Sequence, residues 1–106
     1  MANPWRGDVA LIIEGRRHEM RLTLGALAEL ETQLGESSLL SLVERFENNR
    51  FSSGDVLALL GAGLKGGKCD LSQEELIHAD IDGGPIAAAK AAAELLARAF
   101  VLPGEA

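Results

Sequence analysis

Four side chains that can bind a transition metal lie close together in the second half of the chain: Cys69, Asp70, Glu74 and His78. Glu74 and His78 stand at positions i and i+4, so a helix would place them on the same face. The sequence lacks the paired Cys-x-x-Cys or His-Glu-x-x-His pattern that makes such a cluster specific. A solvent-facing polar helix beside an ordinary small cysteine is the better interpretation, and we predict no metal ligand and no cofactor.

His18 is a candidate general base, because histidine titrates near neutral pH and can transfer a proton during catalysis. It lies on the same face of a predicted strand as Met20 and Leu22. Nucleophilic catalysis also needs a nucleophile and an acid that orients the base, and the sequence does not indicate residues for these roles. A packed histidine, or one at a strand edge, is the favoured interpretation.

Two pairs of glutamates are close enough in sequence to suggest acid–base chemistry. They are Glu29 with Glu31 and Glu74 with Glu75. Both pairs fall in predicted helices, where solvated helix faces and capping contacts account for them. The glycines at 61, 63, 66 and 67 precede no Gly-Lys-Ser/Thr sequence, so they do not form a phosphate-binding loop. We therefore predict no catalytic residue and a protein that is not an enzyme.

The chain is acidic, with a formal net charge of -6 from 16 acidic and 10 basic residues. Nucleic-acid binding depends on clustered lysines and arginines that neutralise phosphates, so the overall charge argues against it. A helical nucleic-acid binder stays a minor alternative because four basic residues lie around the second and third predicted helices. They are Arg45, Arg50, Lys65 and Lys68.

The single cysteine, Cys69, excludes an intrachain disulfide and fits a reducing compartment. The N-terminus lacks an apolar run of signal-peptide length. The longest apolar region, 86–102, is interrupted by Lys90, Glu94 and Arg98, so we predict that it does not span a membrane. These features predict a protein that acts in the cytoplasm of the bacterium that makes it, although release within a larger particle would leave the same signals.

A length of 106 residues fits a single domain over 1–106. Its first part, about 8–22, has the alternating apolar pattern of two half-buried strands. The inward positions of the first strand are Val9, Leu11 and Ile13. Gly15-Arg16 suits a tight type II′ turn between the strands, since glycine at the first central position adopts positive φ without steric cost. We therefore predict an N-terminal β-hairpin.

Helical patterns follow the hairpin, and most of them begin at a residue that can cap a helix. The predicted caps are Thr23, Ser38, Ser52 with Asp55 as its capping-box partner, and Ser72 with Glu75, while Pro85 suits the first position of the last helix. The predicted helices cover about 24–34, 38–48, 53–65, 73–79 and 85–100. The fold class is α+β, with an N-terminal β-hairpin followed by a compact bundle of four to five short helices.

The last predicted helix is rich in alanine and carries one narrow polar stripe. Lys90, Glu94 and Arg98 form this stripe at i, i+4 spacing. The pattern places Ile86, Ala89, Ala93, Leu96 and Phe100 together on another side. Such a surface packs closely against a neighbouring helix, and we favour a neighbour within the same chain over one in a second subunit.

The sequence resembles the gene transfer agent family of small phage-tail proteins. The likeness rests on the Gly15-Arg16 turn, on the string Leu22-Thr23-Leu24-Gly25-Ala26-Leu27-Ala28-Glu29-Leu30-Glu31, and on Phe51-Ser52 followed by Leu59-Leu60-Gly61-Ala62-Gly63-Leu64. It covers about 6–100, which is most of the chain, and its motifs consist of packing residues rather than catalytic ones. The family is described as tail assembly chaperones or as tail-tube-associated proteins.

The resemblance implies a non-enzymatic adaptor that binds the tape-measure protein or tail-tube subunits during assembly of a gene transfer agent or prophage tail. Apolar positions on the later helices would receive an amphipathic segment of the partner. These positions are Leu40, Ile86, Ala89, Ala93, Leu96 and Phe100. The alternatives are a structural tail component retained in the particle and, from another class, a small nucleic-acid-binding protein or enzyme. Homo-oligomer formation stays open, because the same apolar faces can close a monomer core or a symmetric contact.

Overall fold

The N-terminal hairpin and the helices after it are described by a computed structural model over residues 9–34, 39–69 and 71–99. Two strands come first, β1 (Val9–Ile13) and β2 (Arg16–Met20). Five helices follow in the described ranges: α1 (Leu24–Leu34), α2 (Leu39–Glu47), α3 (Ser53–Gly66), α4 (Gln73–Ile77) and α5 (Gly84–Ala99). The predicted α+β class, with a hairpin followed by short helices, is confirmed.

The hairpin pairs β1 antiparallel to β2, with Ile13 opposite Arg16 beside the turn. The turn residues are therefore Glu14 and Gly15, and the predicted Gly15-Arg16 turn is wrong by one residue. Both turn residues have positive φ, 52° and 76°, as a type I′ turn requires. Contacts distant in sequence hold Glu14 in this conformation, since its N–H donates to the Asp80 carbonyl at 2.8 Å and its carboxylate accepts from the Asp80 N–H at 2.9 Å.

One face of the hairpin packs against α3 and α5. The side chains of Val9, Leu11, Ile13 and Met20 are buried on this face, as the alternating pattern predicts. The core continues through Leu30 of α1, Leu42 of α2 and the middle of α3. The hairpin and the helices thus share one apolar core.

The helix starts follow the local capping chemistry read from the sequence. The Ala26 N–H donates to the Thr23 hydroxyl at 3.1 Å, which confirms the cap of α1. Reciprocal capping boxes at the starts of α3 and α4, Ser52 with Asp55 and Ser72 with Glu75, are also confirmed. The predicted Ser38 cap of α2 lies outside the described residues.

The C-terminal half of α3 lies directly against β2, and glycine makes this approach close. A Cβ built on Gly63 would stand 2.8 Å from a methyl carbon of Leu95 on α5 and 3.1 Å from the Cβ of Met20. A Cβ on Gly66 would overlap the Arg21 carbonyl oxygen, which belongs to backbone and cannot rotate away. The Arg21 N–H donates to the Gly63 carbonyl at 2.9 Å, so backbone meets backbone at this junction.

The last two helices differ from prediction in their limits and in the face they bury. Helix α4 ends at Ile77 rather than near 79, because the residues after it turn toward β1 and bond with Glu14. Helix α5 begins at Gly84, one residue before Pro85. Its buried residues are Ala88, Ala91, Ala92, Leu95 and Leu96. The predicted apolar side is therefore not the face that α5 buries, since Ile86 is exposed and Leu96 is buried.

Candidate functional site

An apolar groove of about 510 Å³ opens between α4 and the first half of α5. We call it the α4–α5 groove. Its apolar walls include Val56 and Leu57 of α3, Leu76 and Ile77 of α4, and Ala88 and Ala89 of α5. The volume falls in the range of pockets that bind ligands or anchoring side chains. The groove can therefore accept a few apolar side chains from another molecule.

The wall formed by α4 and residues 79–82 is anchored to the hairpin. Ile81 forms an isolated antiparallel bridge with Ile13, and the Asp82 N–H donates to the Ile12 carbonyl at 3.0 Å. Gly83 and Gly84, with φ of 87° and 68°, then turn the chain into α5. These bonds fix the distance between the two sides of the groove.

Ion pairing and capping organise the start of α3 beside this groove. Arg45 of α2 holds the Asp55 carboxylate in a bidentate contact, with nitrogen–oxygen distances of 3.0 and 3.1 Å. Burial opposes ionisation of Asp55, but the hydrogen bonds from Arg45 and Ser52 outweigh it and hold the pKa of this carboxyl below its usual value. At the start of α4, hydrogen bonds from Ser72 likewise lower the pKa of Glu75.

A second groove of about 330 Å³ lies between α2 and the second half of α5. We call it the α2–α5 groove. It is lined by Val43, Phe46 and Glu47 of α2 and by Ala93, Leu96 and Ala97 of α5. The ring of Phe46 stacks on Phe51, with centroids 4.5 Å apart and planes 5° from parallel. Because Phe51 lines the α4–α5 groove, this aromatic pair connects the two grooves.

The comparison with known protein families connects this fold to phage tails. A family model described as "Phage tail tube protein, GTA-gp10" matches residues 6–101. The chain belongs to this phage tail family. The resemblance to gene transfer agent and phage tail proteins is thus confirmed, and the protein has a role related to the phage tail. Neither a curated protein nor a solved structure gives a significant match.

The structure divides the predicted partner-binding residues of this tail-family protein among several places. Ile86 is 76% exposed beside the α4–α5 groove that Ala89 lines, and Leu40 is 68% exposed on α2. Ala93 and Leu96 line the α2–α5 groove, but Leu96 is only 4% exposed and packs in the core. Phe100 lies outside the described residues. These residues therefore do not form one continuous strip.

Sequence reasoning missed Ile77, which is 56% exposed and lines the α4–α5 groove. Its neighbour Leu76 is 2% exposed. The helix has only five residues, Gln73–Ile77. Adjacent residues on a helix point in different directions, so Leu76 enters the core and Ile77 stays outside. The Leu76-Ile77 pair directly after a capping box was the signal that could have found this position.

The structure brings His18 near a cysteine that is distant in sequence. The Cys69 sulfur lies 3.4 Å from Nδ1 of His18, and both side chains are half-buried. Within the described ranges, no acid accepts a hydrogen bond from this imidazole, so the orienting member of a catalytic trio is not seen there.

Two further tests of site chemistry apply to the described residues. They contain no group of three or more His, Cys, Asp or Glu side chains arranged to hold a metal ion, and Asp70 of the predicted quartet lies outside them. None of their helices combines the length and apolar composition needed to cross a membrane.

Proposed function

We propose that the protein is a non-enzymatic tail assembly chaperone or adaptor that binds a segment of the tape-measure or tail-tube protein. In this proposal it acts in the cytoplasm of the producing bacterium, before the tail is complete. The observation that carries the proposal is the pair of apolar grooves beside α5 in a member of a phage tail family. A chaperone needs such a surface, because it covers apolar residues of a subunit until assembly buries them.

The geometry of the α4–α5 groove supports this role. Ile77 and Ile86 are both more than half exposed, and each lies at or beside the groove. Large apolar side chains around a pocket are typical of protein interfaces, where a few anchors provide most of the binding energy. An amphipathic helix of a partner would place its apolar side chains in the groove and its polar face in solvent.

A structural component that stays in the particle is the second candidate function. It is favoured by the family description, which names a tail tube protein. The same exposed apolar positions would then contact neighbouring subunits in the assembled tail. The two candidates differ in where the protein is found after assembly.

Quantitative mass spectrometry on producing cells and on purified particles separates the candidates. A chaperone should co-purify with the tape-measure or tube protein from cells and be depleted from particles. A structural component should occur in particles at a fixed ratio to other tail proteins. Failure of the tagged protein to recover any tail protein, at several salt concentrations, would contradict the chaperone proposal.

A variant pair tests whether the groove is the binding surface. I77S/I86S removes the exposed apolar side chains at the groove and should abolish recovery of the tail partner. L24S is the matched control, since Leu24 is 85% exposed at the start of α1 and does not line either groove. Equal loss of recovery in both variants would contradict a role specific to the groove.

A further inference from the structure

Almost all of the net negative charge of the chain comes from one short stretch. Between Lys68 and Lys90 the sequence has five acidic residues and no lysine or arginine. They are Asp70, Glu74, Glu75, Asp80 and Asp82. The whole chain has 16 acidic residues, so 11 of them lie outside this stretch. Those 11 are nearly balanced by the 10 basic residues of the chain. This stretch includes α4 and the start of α5, the two sides of the α4–α5 groove.

Three of these acids are exposed at or near the groove. Asp80 lines the groove. Among the lining residues in the described part of the chain, it is the one with a charged side chain. Glu74 precedes Ile77 by three positions on α4, so the two are neighbours on the helix surface. Asp82 lies in the turn that leads into α5. The border of the groove formed by 74–82 therefore carries negative charge in solvent.

The lining residues of the groove include no lysine or arginine in the described part of the chain. Arg45 is engaged by both oxygens of Asp55 and is not directed to the groove acids. Lys90 on α5 and Arg50, which precedes the lining residue Phe51, are exposed, and neither of them lines the groove. The groove thus combines an apolar floor with one acidic border.

We propose that the α4–α5 groove binds an amphipathic helix of another tail protein whose apolar anchors are flanked by lysine or arginine. This inference rests on the proposed function and adds the charge of the partner segment. The groove is too small for a whole helix, so the helix lies across it and inserts side chains from positions such as i, i+3 and i+4. The basic side chains then face Glu74, Asp80 and Asp82.

A second copy of the same chain is a poorer occupant on electrostatic grounds. A two-fold contact through this groove would place the acidic borders of both copies in the same interface. Like charges placed opposite each other at an interface oppose association. The charge pattern therefore favours a different protein with a basic segment.

Binding of two synthetic peptides to the full chain tests the charge preference directly. Both peptides carry leucine at helical i, i+3, i+4 and i+7 spacing, with lysine at the flanking positions of one and glutamate in the other. Fluorescence anisotropy at low salt should show about tenfold tighter binding of the lysine peptide, and the difference should shrink at high salt. Equal affinity of the two peptides would overturn the inference.

The triple variant E74Q/D80N/D82N should remove the preference for the lysine peptide, because it neutralises the border without changing side-chain size. The matched control E19Q/E31Q/E44Q removes three exposed acids from β2, α1 and α2 and should keep the preference. Circular dichroism melts of both variants verify that the fold is intact. Loss of the preference in both variants equally would show that the net charge of the protein, and not this border, selects the lysine peptide, and would overturn the inference.

Affinity capture from producing cells separates this inference from the proposed function. If the unmodified protein recovers the tape-measure or tube protein and the triple variant does not, while the control variant does, the inference is supported. If all three proteins recover the tail partner equally, the inference is wrong and the chaperone proposal stands. If the unmodified protein recovers no tail protein, the chaperone proposal itself fails. A dimer in analytical ultracentrifugation that I77S/I86S abolishes would assign the groove to a second copy and overturn the inference.

Discussion

The two sides of α5 differ in how tightly they are closed. Toward α3 and the hairpin, Leu95 of α5 fills the space beside Gly63, and α3 itself meets the Arg21 backbone at Gly66. Toward α4, a five-residue helix leaves a groove of about 510 Å³ with Ile77 and Ile86 exposed. A glycine on the first side allows a close approach of α3, while the five-residue α4 on the second side leaves part of α5 uncovered. The first side therefore stabilises the fold, and the second leaves large apolar side chains exposed.

Truncation of one core side chain should give the largest effect and sharpen this contrast. L95A leaves a cavity where α5 meets α3 and should lower the free energy of unfolding by about 2–5 kcal/mol. I86A, on the open side of the same helix, should change it by less than about 0.5 kcal/mol. Urea unfolding of both variants measures the two values. Similar losses would show that both sides of α5 stabilise the fold.

A single added methyl group should give the next largest effect. The Cβ of G66A would overlap the carbonyl oxygen of Arg21, so β2 and α3 must separate, at a cost of about 1–3 kcal/mol. G25A is the matched control, because the nearest atom to its Cβ is 4.0 Å away and alanine favours the helix. Thermal melts should therefore shift in opposite directions. A stable G66A variant would contradict the close approach of α3 to β2.

The two capping boxes allow a smaller test, since one starts the tightly packed α3 and the other the short α4. D55N removes an acid that both caps α3 and pairs with Arg45, and should cost about 1–2 kcal/mol at neutral pH. The pKa of Asp55 is lower in the folded protein, so its contribution is complete above the unfolded value of 3.8 and is lost as the pH falls through the folded value.

Unfolding measured between pH 3 and pH 7 checks this dependence. The unmodified protein should lose its advantage over D55N at the acidic end of the range. E75Q removes an acid that caps α4 through Ser72, and no arginine pairs with this acid in the described part of the chain. It should therefore show a smaller difference at neutral pH. A D55N variant with an unchanged pH profile would contradict the role of the Arg45 contact.

Local chemistry made much of the fold predictable. The caps at Thr23, Ser52 and Ser72 depend on residues within three positions of each other, and each has the expected hydrogen bond. The turn was misplaced because Glu14 is held by Asp80, 66 positions later in the chain. The contact of Cys69 with His18 spans 51 positions and was equally hidden from sequence patterns.

The binding surface was harder to predict for a physical reason. Alanine occurs on nearly all sides of α5, so a period of 3.6 residues does not separate its buried face from its exposed one. The predicted set consequently mixed the exposed Ile86 with the buried Leu96. The grooves themselves arise between helices that are distant in sequence, and only the packed structure shows them.

If the open side of α5 binds a tail protein, recovery of that protein from producing cells depends on Ile77 and Ile86. The measurement compares tape-measure and tube proteins captured from producing cells by this variant, by L24S and by the unmodified protein. We expect recovery with L24S and the unmodified protein and none with I77S/I86S, while all three unfold at similar urea concentrations. Undiminished recovery by a folded I77S/I86S variant would contradict it.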